Sequence, residues 1–107
     1  MSFDAYDVSQ QIIRALRPIV TIVRRHEPKQ ADQIRRAANA VAANVTEGNG
    51  RKGRDRLQHF AVAYSEVREI GSHLDCGVSW GYLEEGGLTD VRELLDRERA
   101  MLWRLSR

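Results

Sequence analysis

At 107 residues, 30% charged and 42% hydrophobic, the chain has room for one domain with a modest core. Its formal charge of +2 is too small to dictate a nucleic-acid partner, and the single cysteine, Cys76, excludes an intramolecular disulfide or a cysteine-built metal cage. No apolar run approaches the roughly 20 residues that span a bilayer, and the acidic start MSFDAYDVSQ has no apolar signal region. A cytoplasmic protein without membrane association is expected. The charge is unevenly placed: from Arg24 to Arg56, nine Lys and Arg stand against four Asp and Glu, a concentration that the net charge conceals.

Four helical patterns follow one another, with no competing strand pattern and no internal repeat. The first covers about Asp4 to Arg25, where Val8, Ile12, Leu16, Ile19 and Val23 recur at spacings of three and four. Ile13, Val20 and Ile22 widen its apolar face, and Pro18 removes one backbone donor, which predicts a kink. His26-Glu27-Pro28 is the first break, and Pro28 suits a first helical turn. The second helix, Pro28 to Glu47, has Ile34, Ala38, Val41 and Val45 as its stripe. Ala37, Ala40 and Ala42 flank that stripe, and such small side chains let a neighbouring helix approach. Gly48, Gly50 and Gly53 form the second break, with Gly48 expected as a left-handed C-terminal cap.

The third helix is expected from Arg54 to Trp80, with Leu57, Phe60, Tyr64, Val67, Gly71, Leu74 and Val78 inward. A glycine inside a helix costs roughly 1 kcal/mol, so Gly71 on this stripe predicts a close helix contact. Glu85-Gly86-Gly87 is the third break. Thr89 is the expected N-cap of a last helix whose Val91, Leu94, Leu95, Met101, Leu102 and Leu105 face inward. Connections this short predict an all-α, antiparallel up-and-down four-helix bundle, one domain over residues 1–107. Ile13, Val20, Ile22, Ala37 and Ala40 exceed what one face of an isolated bundle buries, which predicts self-association. Trp80, Tyr82 and Trp103 suit either the bundle ends or a subunit interface.

The stretch Gln33–Arg51, QIRRAANAVAANVTEGNGR, joins paired arginines, an alanine-rich helix, an Asn-x-x-Glu step and a glycine-rich basic ending. It resembles the bacterial four-helix-bundle family of proteins encoded in intervening sequences of 23S ribosomal RNA genes, the S23-type proteins. The resemblance rests on Gln33, Ile34, Arg35, Arg36, Ala37, Ala38, Asn44, Glu47, Gly48, Gly50 and Arg51, with Val41 and Val45 in isoleucine positions. Ala40, Ala42 and Thr46 depart from the family's usual serine, proline and alanine. The missing proline implies a straighter second helix. The resemblance implies a four-helix protomer in a ring-like homopentamer. It also implies kinship to the accessory proteins of diversity-generating retroelements, similar bundles whose basic surfaces engage nucleic acid and a reverse transcriptase. It carries over no settled biochemical activity.

The loop Gly48–Arg54 is the leading candidate contact surface. Its glycines let backbone amides approach an anion, and Arg51, Lys52 and Arg54 surround them. Arg35, Arg36 and Arg56 are further candidates. The Gly-Lys-Ser/Thr ending of a Walker loop is absent. The phosphates of RNA or DNA, alone or in a nucleoprotein, are the ligand class this pattern suits, and a merely solvated basic loop is the alternative. Arg35 and Arg36 point about 100° apart on a helix and either meet phosphate or pair with carboxylates of a neighbouring helix or subunit.

Asn44 and Glu47 share a helix face. Asn44 is expected to bond an adjacent helix, and Glu47 to hold the glycine loop through its amides or Arg51. No catalytic, cofactor or metal site is expected. His59 and His73 lie too far apart along one helix, and Glu66, Glu69 and His73 lack the Glu-x-x-His step of di-iron bundles. Those three are expected to form an ion-pair network with Arg68, and Cys76 to pack as a small apolar residue. The leading function is a non-enzymatic oligomeric binding or scaffolding protein for nucleic acid. One alternative is a purely structural protein–protein module. Another is a small helical enzyme such as a mutase, which requires Arg35, Arg36 and Glu47 to converge on a closed cavity around an anionic metabolite.

Overall fold

Proline and glycine divide the chain where the sequence pattern places its breaks. The computed structural model describes residues 4–107, so Met1, Ser2 and Phe3 of the acidic start lie outside the described residues. Helix α1 spans Asp4–His26, α2 Pro28–Gly50, α3 Gly53–Trp80 and α4 Thr89–Leu105, with a 3-10 turn at Glu85–Leu88 leading into α4. Glu27 alone joins α1 to α2, and Arg51-Lys52 joins α2 to α3. Connections this short reverse the chain and set consecutive helices side by side. Each helix packs on the next, and α4 closes on α1, giving a four-helix bundle of 43 × 23 × 21 Å.

The predicted stripes of α1 and α2 are buried throughout, from Val8 to Val23 and from Ile34 to Val45. Helix α1 runs unbroken through Pro18, whose side is exposed while the apolar face beside it stays docked. Helix α3 departs from its predicted stripe. Its buried line is Phe60, Ala63, Val67, Ile70, Leu74 and Gly77, whereas Leu57, Tyr64, Gly71 and Val78 are half-buried. Phe60, Val67 and Leu74 of the predicted stripe are buried, but Ala63, Ile70 and Gly77 complete the line in place of Tyr64, Gly71 and Val78, so the inward face is turned by about one residue.

Three glycine and cap expectations are corrected. Gly48 is not a left-handed cap: α2 continues to Gly50, and the positive-φ glycines are Gly53 at 62° and Gly81 at 85°. Gly48 is buried instead, because a Cβ there would stand 2.8 Å from Cε1 of Phe60. The missing side chain makes room for the ring. Gly71 has nothing within 4 Å of a Cβ position, whereas Gly77 would meet Leu83 Cδ1 at 2.6 Å. The close helix contact predicted at Gly71 is absent, and the close approach found at Gly77 is to Leu83 in the connection that follows α3. Thr89 is the first residue of α4 rather than its cap, with Leu88 in the capping position after the 3-10 turn.

The aromatics divide between packed and exposed positions. Tyr82 stacks on His26 at the bundle end, with ring centroids 4.6 Å apart. Trp80 is 74% exposed and Trp103 49%, although Trp103 also meets Tyr64 and the Arg107 guanidinium. Cys76 is exposed and does not pack as an apolar residue. Of the surplus apolar residues on the first two helices, Ala37 is fully buried, Ile13 and Val20 are partly covered, Ala40 is half-buried, and Ile22 is exposed.

Candidate functional site

The basic connection is shorter and more occupied than its sequence suggests. With α2 reaching Gly50, Arg51 and Lys52 are the only residues between helices, both extended, and Gly53-Arg54 opens α3. Arg51 is clamped between helices, its Nη2 donating to Glu47 Oε2 at 3.0 Å and its Nη1 to Asp55 Oδ2 at 2.9 Å. The hydrogen bond to Glu47, then that to Asp55, raises its pKa above the ordinary guanidinium value. Glu47 thus holds the connection through Arg51, as its place in the sequence predicts. Arg56 turns back to donate from Nη1 to the Gly48 carbonyl at 3.1 Å and lies 4.9 Å from the Phe60 ring centroid. It is the second donor to that carbonyl, which also accepts the Arg51 backbone N–H at 3.3 Å. Lys52 and Arg54 are exposed, and neither makes an ion pair among the described residues.

The remaining candidates lie elsewhere. Arg36 donates to Glu66 at 3.3 Å and also bonds Glu69, both on α3, and these carboxylates raise its pKa, the Glu69 bond most of all. His73 joins the cluster, with Nε2 3.3 Å from Glu69 and Nδ1 3.3 Å from Gln30 Nε2. The predicted network therefore exists, but its cation is Arg36 and not Arg68. Asn44 Oδ1 meets Nδ1 of His59 on α3 at 3.0 Å, and its amide nitrogen donates to the Ala40 carbonyl. That is the predicted cross-helix bond. Arg35 faces the other way, into an open groove between α1 and α2. Arg35, Arg36 and Glu47 do not converge: one lines a groove, one pairs across to α3, and one binds Arg51.

The groove is the feature that loop-centred sequence reasoning missed. It has a volume of about 680 Å³ and carries Arg17, Arg24, Arg25 and Arg35 on its walls. Arg24 reaches Asp32 at 2.9 Å, while Arg17, Arg25 and Arg35 make no ion pair among the described residues. The signal was present as basic residues at helical spacing beside Ile13 and Val20 on the first helix.

A second unanticipated group is Glu98, which occupies the buried stripe of α4 between Leu95 and Leu102. It is 0% exposed, and neither carboxylate oxygen has a hydrogen-bond partner. Burial pushes its pKa up to about 8, with Arg97 pulling it down. Among the described residues, no group of three His, Cys, Asp or Glu is placed to hold a metal ion, and no helix is long and apolar enough to cross a membrane.

Comparison with known proteins agrees with this architecture. A solved structure from Bacteroides thetaiotaomicron, described as a protein of unknown function from the S23 ribosomal protein family, superposes with a TM-score of 0.83 at 16% identity. The match covers 96% of this chain and 98% of that one, a likeness of fold. No curated protein matches. The sequence pattern of the family described as 23S rRNA-intervening sequence protein matches residues 4–104. The chain belongs to this S23-type family of 23S rRNA-intervening sequence proteins.

Proposed function

We propose that the protein is a non-enzymatic, self-associating helical-bundle scaffold that engages nucleic acid, alone or within a nucleoprotein, through the basic connection between α2 and α3. The observation that carries this reading is the pair Lys52 and Arg54, exposed and without a carboxylate partner among the described residues. They flank the N-terminus of α3, whose peptide dipoles add partial positive charge toward a phosphate. Arg51 and Arg56 stand beside them in a supporting role, since each already serves the fold. Arg35 and Arg36 lie about four helical turns away, about 24 Å along α2 from the connection at 1.5 Å per residue, and contribute only to a ligand that wraps the bundle. Contacts of this kind position a phosphate backbone and carry little sequence information.

Self-association, as a pentamer by family resemblance, is supported by Trp80 and Trp103, two indoles of a type enriched at protein interfaces. The same exposed indoles favour the second reading, a purely structural partner for another protein. The metabolite-binding enzyme loses its support, because Arg36 and Glu47 pair off with other groups while Arg35 lines a separate groove. Light-scattering mass with and without single-stranded RNA tests the proposal. An oligomer that gains mass with RNA, and a Lys52→Ala/Arg54→Ala variant that stays oligomeric without gaining mass, are the expected results. A monomer removes the scaffold, and unchanged RNA uptake by the variant removes the connection as the contact.

A further inference from the structure

We infer that the α1–α2 groove is a docking site for an acidic amphipathic helix of a partner protein, an interaction separate from the nucleic-acid contact proposed above. Its floor is apolar: Ile13 and Val20 are only partly covered, over Leu16, Ile34 and Ala38. Above that floor stand four guanidinium groups, those of Arg17, Arg25 and Arg35 and that of Arg24, which already pairs with Asp32 outside the lining, and among the described residues no Asp or Glu lines the groove. From Ile13 to Arg25 the groove runs about 18 Å along α1, the length of roughly three helical turns. Small residues on the α2 side, Ala38 with Asn39 beside it, let a helix backbone settle close to the floor.

An apolar trough walled by arginines selects its occupant by two properties at once. A stripe at i, i+3, i+4 and i+7 fills the floor, and carboxylates flanking that stripe meet guanidinium forks in charge-assisted pairs. A nucleic-acid strand suits it less well. No aromatic ring lines the groove, so bases find nothing to stack on, and the exposed edges of Ile13 and Val20 would be covered by polar sugar and phosphate. The α4 end of a second copy also fits poorly. Its carboxylates without ion-pair partners at the start of α4 and before it, Glu84, Asp90 and Glu93, alternate with Leu88 and Val91, which are buried. That surface offers no exposed apolar ridge between its charges.

The probe is a fluorescein-labelled peptide of about four helical turns, with leucines at i, i+3, i+4 and i+7 and glutamates on both flanks, read by fluorescence anisotropy. A scrambled peptide of the same composition is the control. The peptide should bind the wild-type protein, and the scrambled peptide at least about tenfold more weakly. Arg17→Glu with Arg35→Glu, both at exposed positions and checked for fold by circular dichroism, should weaken binding at least about tenfold. Lys52→Ala/Arg54→Ala should leave it unchanged even if it abolishes RNA binding, which separates failure of this inference from failure of the nucleic-acid reading. Equal binding of the scrambled peptide, or unaltered binding by the Arg17/Arg35 variant, overturns the proposal. It is also overturned if RNA displaces the peptide and RNA binding depends on Arg17 and Arg35. Absence of peptide binding, with Ile13→Arg/Val20→Arg lowering the light-scattering mass, would assign the groove to a second copy instead.

Discussion

Glu98 is the residue whose environment most contradicts its chemistry. A carboxyl without hydrogen-bond partners in a core stripe is best held neutral, and burial raises its pKa from 4.5 to about 8. Below the unfolded value it is protonated in both states and imposes no pH dependence. Between about 4.5 and about 8 the unfolded chain releases a proton that the folded chain retains, so stability falls as pH rises, by about 1.4 kcal/mol per unit at most. Above that range the loss levels off. Urea unfolding of the wild type should show this decline, and Glu98→Gln should flatten it. Glu98→Leu should raise stability at pH 7.5 by about 2 kcal/mol, because an apolar side chain removes the desolvation cost. Parallel pH profiles for wild type and Glu98→Gln would contradict the assignment.

Two glycines two residues apart make a contrast at the same scale. Gly48→Ala drives a Cβ into the Phe60 ring, while Gly50→Ala meets nothing within 4 Å. The first should destabilise by about 1–3 kcal/mol, and the second should be neutral or stabilise by up to about 1 kcal/mol. Thermal unfolding reads the signs, and equal effects would mean that Phe60 yields freely. The sequence pattern contained both glycines but not the ring that packs on Gly48 alone. A glycine near a helix end suggests a cap by local rules, and only the packing of α3 against α2 shows that Gly48 serves a contact.

At the scale of elements, the join between α2 and α3 depends on Arg56. Its guanidinium completes the hydrogen bonding at the end of α2 and lies against Phe60. Arg56→Ala should cost about 1–2 kcal/mol through the lost carbonyl bond and ring contact. Arg54→Ala, two residues earlier and exposed, should stay within about 0.5 kcal/mol. Equal losses in denaturant unfolding would show that Arg56 has no special part. The stripes of α1 and α2 were legible because their periodic apolar residues are the ones that are buried. The centre of α3 was not, since the small Ala63 and Gly77 complete its buried line while the larger Leu57, Tyr64 and Val78 lie at its margins. The partners of Arg36 were equally hidden: nothing local distinguishes Glu66 and Glu69 as its acceptors from Arg68 as theirs.

For the whole molecule, the bundle and its family were readable from helix spacing and from Gln33–Arg51, and the division of charge was not. The sequence shows a basic run but not which cations the fold neutralises. In the folded protein Arg36 and Arg51 are occupied by carboxylates, which leaves Lys52 and Arg54 on the α2–α3 connection and a separate set of arginines around the α1–α2 groove. The scaffold proposal therefore depends on two side chains more than on the six that the sequence offered.

The most direct measurement of that claim is the salt dependence of single-stranded RNA binding, compared between the wild type and Lys52→Ala/Arg54→Ala. Each phosphate contact contributes about 0.7 to the slope of log affinity against log salt. The wild-type affinity should drop steeply between low and physiological salt, and the variant's slope should be shallower by about 1.4 per engaged protomer. A wild-type affinity insensitive to salt, or identical slopes for the two proteins, would contradict the account.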